Sequence, residues 1–119
     1  MSRNKELLNE YKQRKFRMGV FALRNTLNGK LFIGSGLNLD ALWNRVRAEL
    51  RLNGHRNEAL QSDWNALGES AFEYEVLSEI TEEPGSVTDY GYEVKKLEKM
   101  FLEEMQPWGE KGYHNVPRN

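Results

Sequence analysis

One acidic residue stands beside a run of apolar positions. Apolar side chains recur at helical spacing late in the chain, at Val94, Leu97, Phe101 and Met105. This spacing predicts an amphipathic helix that ends before Pro107, with Glu98 on or beside its apolar face. A carboxylate in that position needs a partner. Glu98 can hold a divalent metal ion, which prefers oxygen ligands, or accept hydrogen bonds from an arginine or a backbone donor, and the pattern favours the second.

Other catalytic chemistries find little support. The chain has no cysteine, its serines, histidines and aspartates are too sparse to indicate a nucleophilic triad, and His55 and His114 lack metal-ligand spacing. Gly34-Ser35-Gly36 lacks the Lys-Ser/Thr pair of a P-loop and the third glycine of a dinucleotide fingerprint. Because His55 follows a predicted helix end at Gly54, a role in fixing a loop is favoured over a role as a ligand.

Positive charge is concentrated in the first half of the chain. Residues 1–60 carry 12 basic and 5 acidic side chains, whereas residues 61–119 carry 5 and 13. Four arginines form a basic strip that suits phosphate groups, namely Arg45, Arg47, Arg51 and Arg56. An ordinary solvated face, or charges that pair between the two halves, explains the pattern equally well.

Strands are predicted by alternation and turn chemistry. Two strands, over Met18–Asn25 and Lys30–Gly34, flank a turn that contains Asn28-Gly29, a pair that accepts positive φ. Residues Ala71–Ile80 alternate between apolar and mostly acidic side chains. This alternation predicts a third strand with one face exposed to water.

Helices are predicted over residues 2–15, from an Asn38 cap to about Asn53, from an Asn57 cap to Gly68, and through Glu98 to Pro107. The resulting order is helix, strand, strand, helix, helix, strand, helix. It predicts an α+β domain in which helices flank a small three-stranded antiparallel sheet.

Length and composition limit the class of protein. A chain of 119 residues, 39% apolar and 29% charged, fits one globular domain over residues 1–119. No apolar run is long enough to span a membrane, and the charged segment 1–15 is unlike a signal peptide. We therefore expect a soluble cytoplasmic protein that has no membrane contact.

The ordered motifs resemble the GIY-YIG nuclease superfamily, which includes the N-terminal domain of the UvrC repair nuclease and intron-encoded homing endonucleases. Gly19-Val20-Phe21 stands at the first motif and Phe32-Ile33-Gly34 at the second, across the predicted hairpin. Further matching positions are Gly54, His55, Asn57, Leu60-Gln61, Asp63-Trp64, Gly68 and Phe72. The resemblance covers roughly residues 18–115, preceded by a basic helix in residues 1–17, and it implies the fold deduced above.

The resemblance also implies a mechanism. In this family one divalent ion, Mg²⁺ or Mn²⁺, is held by a glutamate at the position of Glu98, and two tyrosines and an arginine act on the water and the phosphate. Here the two tyrosine positions hold Phe21 and Phe32, and the arginine position holds Leu42. Phenylalanine keeps the packing of the ring but loses proton transfer. We expect Phe21, Phe32 and Glu98 to converge, with Leu42 packed nearby.

These observations predict a GIY-YIG-like domain that binds nucleic acid, with DNA the expected partner and with weak or lost cleavage. The strip of Arg45, Arg47, Arg51 and Arg56 and the basic first helix would contact phosphates. One alternative is a working nuclease whose site is rearranged, with Arg45 and His55 as catalytic candidates and a phenol supplied by Tyr11, Tyr74 or Tyr113. A second alternative is a degenerate domain that binds a protein partner through its acidic strand and last helix.

Overall fold

The computed structural model describes residues 16–83, 85 and 87–117. Its strands are β1 (Met18–Asn25), β2 (Leu31–Gly36) and β3 (Phe72–Ile80), and its helices are α1 (Leu39–Arg51), α2 (Glu58–Leu67) and α3 (Tyr90–Met105). The strands form one antiparallel sheet in the order β2-β1-β3. The predicted α+β class and three-stranded sheet are therefore confirmed. The helix predicted over residues 2–15 lies outside the described residues.

The hairpin of β1 and β2 carries both motif positions. Its register pairs Phe21 with Gly34 and Leu23 with Phe32. In the turn, Gly29 has a φ of 79°, and the Asn25 N–H donates to the Lys30 carbonyl at 2.9 Å. Strand β2 continues two residues beyond its predicted end, because Ser35 and Gly36 pair with the first residues of β1.

Helices cover both faces of the sheet. On one face Phe21 and Leu23 pack against buried residues of α1 and α2, namely Leu39, Val46, Leu50, Leu60 and Trp64. On the other face Val20, Ala22 and Ile33 pack against Leu97, Phe101 and Leu102 of α3. Burial of these two apolar layers is the main stabilising term of the fold.

The third strand is predicted to expose one face to water, and this prediction is wrong at Leu77, which is packed. A register shift lies between Val20 and Phe21 of β1, which pair with Ser78 and Val76 of β3. Leu77 is the additional residue of this bulge and packs with the α3 cluster. Gly19 makes a close approach possible nearby, since a Cβ there would lie 1.9 Å from the Ser78 carbonyl oxygen.

Side-chain caps fix where the helices begin. The Asn38 side chain accepts from the Ala41 N–H at 3.1 Å, and the Asn57 side chain accepts from the Leu60 N–H at 3.0 Å, as predicted. Asp89 caps α3 in the same way. Within the part of the chain that the structure describes, none of the helices is long and apolar enough to cross a membrane.

Candidate active site

A cavity of about 570 Å³ lies at the β2 edge of the sheet. Helices α1 and α3 cover opposite faces of the sheet, and residues of both helices line the cavity together with residues of β2. The lining includes Phe21, Phe32, Ser35, Leu42, Arg45, His55, Arg56, Lys95, Glu98 and His114. The structure therefore brings Phe21, Phe32 and Glu98 to one cavity, together with Leu42, as the sequence predicts.

Phe21, Phe32 and Leu42 form the floor of this cavity. Phe21 is 1% exposed, and its ring centroid lies 6.1 Å from that of Phe32. The Phe21 ring covers Gly34 so closely that a Cβ at residue 34 would lie 2.6 Å from it. Leu42 packs beside the core and in contact range of Gly36. None of the three floor side chains can donate, accept or transfer a proton.

Arg45, His55, Arg56, Lys95 and Glu98 form the rim. The Ser35 hydroxyl donates to Glu98 Oε1 at 3.0 Å, and Lys95 Nζ lies 3.7 Å from the same oxygen. The Glu98 side chain remains 20% exposed. Among the described residues no hydrogen bond is made to the other carboxylate oxygen, Oε2.

The Oε2 oxygen of Glu98, which receives no hydrogen bond from the described residues, fits a divalent ion held by one protein carboxylate. Within the described residues no group of three or more His, Cys, Asp or Glu side chains is arranged to enclose a metal ion. Mg²⁺ is commonly bound through one or two carboxylates, with substrate phosphates and water as the other ligands. Glu98 is thus the residue that would hold such an ion, and substrate and water would complete its coordination.

Hydrogen bonds of the ring and of the backbone hold His55 in place. Its ring Nδ1 accepts from the Asn57 N–H at 3.0 Å, and its own N–H donates to Gln61 Oε1 at 3.0 Å. The ring meets Phe32 edge-on, with centroids 5.3 Å apart. Burial lowers the pKa of His55, an effect that Glu49 opposes and Arg56 reinforces. The loop-fixing contacts expected from the sequence are present, and the ring also lines the cavity.

His114 is a cavity residue that the sequence did not indicate. Its Nε2 accepts from the Ile33 N–H at 2.9 Å, and its ring stacks on Phe32 with centroids 5.3 Å apart. Burial lowers the pKa of His114, and Glu98 opposes that shift. The segment is held in place because the Tyr113 N–H donates to the Leu31 carbonyl at 3.0 Å. This contact joins residues far apart in sequence, and the segment around His114 shows no periodicity.

Neither candidate phenol that the structure describes lines the cavity. The Tyr74 hydroxyl donates to the Leu39 carbonyl at 3.2 Å, and the Tyr113 hydroxyl donates to Asp63 at 2.7 Å. Burial raises the pKa of each phenol to about 12. Tyr74 and Tyr113 are therefore not placed to act as bases in the cavity, and Tyr11 lies outside the described residues.

The four arginines of the predicted basic strip divide into two pairs. Arg45 and Arg56 line the cavity, whereas Arg47 and Arg51 do not. Arg45 Nε lies 3.5 Å from Glu49, and Arg56 makes no ion pair within the described residues. Two of the four predicted arginines therefore lie at the cavity.

Arg47 and Arg51 have other partners. The Arg47 guanidinium lies 5.6 Å from the Trp43 ring centroid, and Arg51 donates twice to Glu69, at 2.6 and 2.8 Å. The Arg51–Glu69 pair joins the basic first half to the acidic second half, as do Arg17–Glu79 and Arg24–Glu75. Part of the charge asymmetry is therefore compensated across the fold.

Comparison with known proteins finds similarity to endonucleases. No protein-family model matches the sequence. Over 62 residues the chain is 34% identical to intron-associated endonuclease 1 of Enterobacteria phage T4, a match that covers 52% of this chain and 25% of that protein. The chain thus spans about a quarter of the length of this curated relative.

Two solved structures share the fold. The catalytic domain of the homing endonuclease I-TevI superposes with a TM-score of 0.67 at 27% identity, covering 85% of this chain and 99% of that domain. A point mutant of the catalytic domain of intron endonuclease I-TevI gives a TM-score of 0.69 at 25% identity, with coverage of 83% and 93%. The similarity therefore extends over nearly the whole of that catalytic domain.

Proposed function

Because this chain is a GIY-YIG-like domain in sequence and fold, we propose that it binds nucleic acid, with DNA as the target, at the cavity on the β2 edge. Its metal-dependent cleavage of phosphodiester bonds is weak or absent. The observation that carries this proposal is the contrast within one cavity between a rim of charged groups and a floor without any proton-transfer group.

The rim supports binding to a phosphate backbone. Arg45, Arg56 and Lys95 supply positive charge at the cavity, and phosphate contacts by such side chains dominate affinity for nucleic acid. A divalent ion at Glu98, when bound, would act as a Lewis acid on a phosphate oxygen. The matching relatives are named as endonucleases, which supports a nucleic-acid partner for this domain as well.

The floor supports weak cleavage. A positioned general acid or base contributes about 10² to 10⁴ in rate, and one electrostatic stabiliser about 10² to 10³. With Phe21 and Phe32 at the tyrosine positions and Leu42 at the arginine position, both contributions are missing. Even with non-additive effects, the loss is on the order of four powers of ten.

The test is a cleavage assay with Mg²⁺ or Mn²⁺ on duplex, branched and single-stranded DNA, run beside a binding titration. We expect binding without efficient cutting. The triple variant Phe21→Tyr, Phe32→Tyr and Leu42→Arg should gain cleavage by about 10² or more, and adding Glu98→Gln should remove that gain. Efficient cutting by the unmodified chain that Glu98→Gln abolishes would instead establish the rearranged nuclease.

A protein-interaction module is the competing function. Its expected surface consists of the acidic face of β3 and the last helix, and the β3 part is partly neutralised, since Arg24 pairs with Glu75 and Arg17 with Glu79. If the chain fails to bind any form of DNA at low salt, nucleic-acid binding is refuted and this second function replaces it. Phosphate-driven binding must also weaken steeply as salt rises, whereas a specific protein contact would change much less.

A further inference from the structure

The hydrogen bonds of His55 determine which ring nitrogen carries its proton. Nδ1 accepts from the Asn57 backbone N–H at 3.0 Å. A neutral imidazole has one protonated nitrogen and one acceptor nitrogen, and the hydrogen bond made by one nitrogen sets the state of the other. With Nδ1 as the acceptor, the proton of the neutral ring lies on Nε2.

The second nitrogen of His55 is accessible. No hydrogen bond joins Nε2 to another described residue, and in the described part of the chain no buried side-chain nitrogen or oxygen lacks a partner. Nε2 is therefore in contact with solvent. The ring lines the cavity and touches Phe32, which also lines it. His55 thus offers an N–H group at the rim.

We propose that His55 is a fixed hydrogen-bond donor to a phosphate oxygen of the bound strand, and not the base that accepts a proton from water. A base needs an unprotonated nitrogen at the reacting atoms. Here the accessible nitrogen carries the proton, and the unprotonated nitrogen is occupied by Asn57. This inference rests on the proposed function and assigns a role to one residue of that site.

The surroundings of His55 hold this donor in one orientation. The Gln61 side chain accepts from the His55 N–H and donates to the Leu50 carbonyl at 2.9 Å, so the loop is tied to the end of α1. The Asn57 side chain caps α2 and donates to the Tyr113 carbonyl at 2.8 Å. A donor that is positioned before the ligand arrives loses little entropy on binding. Burial lowers the pKa of His55, which favours the neutral ring that this hydrogen bond requires.

The first experiment reads the tautomer directly. Long-range ¹H–¹⁵N correlation spectra of the labelled protein at pH 7.5 distinguish a proton on Nε2 from one on Nδ1. We expect the His55 proton on Nε2, and we expect added inorganic phosphate to shift the Nε2 resonance more than the Nδ1 resonance. A proton on Nδ1, or no response of Nε2 to either phosphate or DNA, would overturn the donor role.

The second experiment separates a donor from a base. In His55→Gln the amide nitrogen lies near the place of Nε2 and still donates, but it cannot take up a proton. We expect His55→Ala to weaken DNA binding about tenfold, the effect of one hydrogen bond to a charged acceptor, and His55→Gln to stay within about threefold of the unmodified chain. Ser62→Ala is the control and should leave affinity unchanged, because Ser62 is exposed on α2 and lines a separate cavity that His55 also borders.

A base would give a different pattern. In the floor variant with restored cleavage, both substitutions of a base would lower the rate alike, by about 10² or more. If His55→Ala binds DNA as tightly as the unmodified chain does, the donor role is refuted, but the proposal that the chain binds DNA is not. If the unmodified chain binds no DNA, the proposed function fails, and the donor role toward a bound strand fails with it even where phosphate still shifts Nε2.

Discussion

The floor and the rim of the cavity differ in how far they belong to the protein core. Phe21 is 1% exposed, whereas the side chains of Lys95 and Arg45 are 68% and 76% exposed. Floor residues therefore contribute to stability as well as to the shape of the site. Rim residues keep charged groups at the opening with little packing of their own. At the tyrosine and arginine positions that the resemblance implies, the side chains are apolar and pack with the core, whereas the charged side chains of the rim lie outside it.

The largest expected effect is on stability at the floor. Phe21→Ala should lower the free energy of unfolding by about 3 to 5 kcal/mol, because it opens a void between the sheet and α1. Glu98→Gln at the rim should change it by less than about 1 kcal/mol. Urea denaturation followed by circular dichroism measures both. Equal losses would show that the floor and the rim are not distinct in the way described.

A methyl group at the floor should have the next largest effect. In Gly34→Ala the new Cβ would meet the Phe21 ring at 2.6 Å, so the ring or the strand must move. We expect a loss of about 1 to 3 kcal/mol, the usual cost of overpacking. Gly54→Ala is the matched control, since a Cβ there would lie 3.7 Å from the Glu49 carbonyl oxygen, an ordinary contact distance. If both alanines are equally tolerated, Phe21 is not tightly packed on β2.

Acid should destabilise the fold through the two cavity histidines. Burial lowers the pKa of His55 and of His114 below the ordinary value of 6.5, so the unfolded chain binds more protons than the folded one near that pH. Their contribution to stability is complete above pH 6.5 and is lost as the pH falls below it. Unfolding midpoints measured from pH 7.5 to about 5.5 should decrease. The double variant His55→Gln and His114→Gln should show a flatter profile, and an unchanged profile would contradict this origin.

The smallest expected effect separates the two arginine pairs. Arg45→Ala with Arg56→Ala should flatten the slope of log affinity for DNA against log salt by about two. Arg47→Ala with Arg51→Ala should flatten it by less than about one, because Glu69 already holds Arg51. Fluorescence anisotropy at several salt concentrations measures both slopes. If the Arg47 and Arg51 substitutions change the slope more, the phosphate backbone of DNA binds along the side of α1 that carries Trp43 and not at the cavity.

Local signals in the sequence predicted most of the fold. Asn38 and Asn57 were identified as caps because capping depends on a few neighbouring residues, and the limits of β1 followed from its apolar run and the turn that follows it. The last two residues of β2 and the bulge at Leu77 were missed, because pairing with a distant strand decides them.

The candidate site was predictable to the same extent. The spacing singles out Glu98 because its carboxylate stands beside a helical row of apolar residues, but its expected place in the site follows from the resemblance, as do those of Phe21 and Phe32. The sequence does not indicate three other cavity residues, Ser35, Lys95 and His114. Their place at the cavity depends on how α3 and the segment after it meet β2. The sequence allows charges to pair between its two halves but does not identify Glu69 as the partner of Arg51.

The contact between Ile33 and His114 makes one amide a reporter for the whole site. Ile33 lies in the edge strand, yet its N–H donates to an imidazole instead of to water. Its hydrogen-exchange rate therefore depends on whether the segment that carries His114 is docked. Slow exchange of the Ile33 amide would mean that His114 is stacked on Phe32 and that the cavity wall is complete. A solution of the protein could in this way be examined for the fraction of molecules whose site is assembled, before any nucleic acid is added.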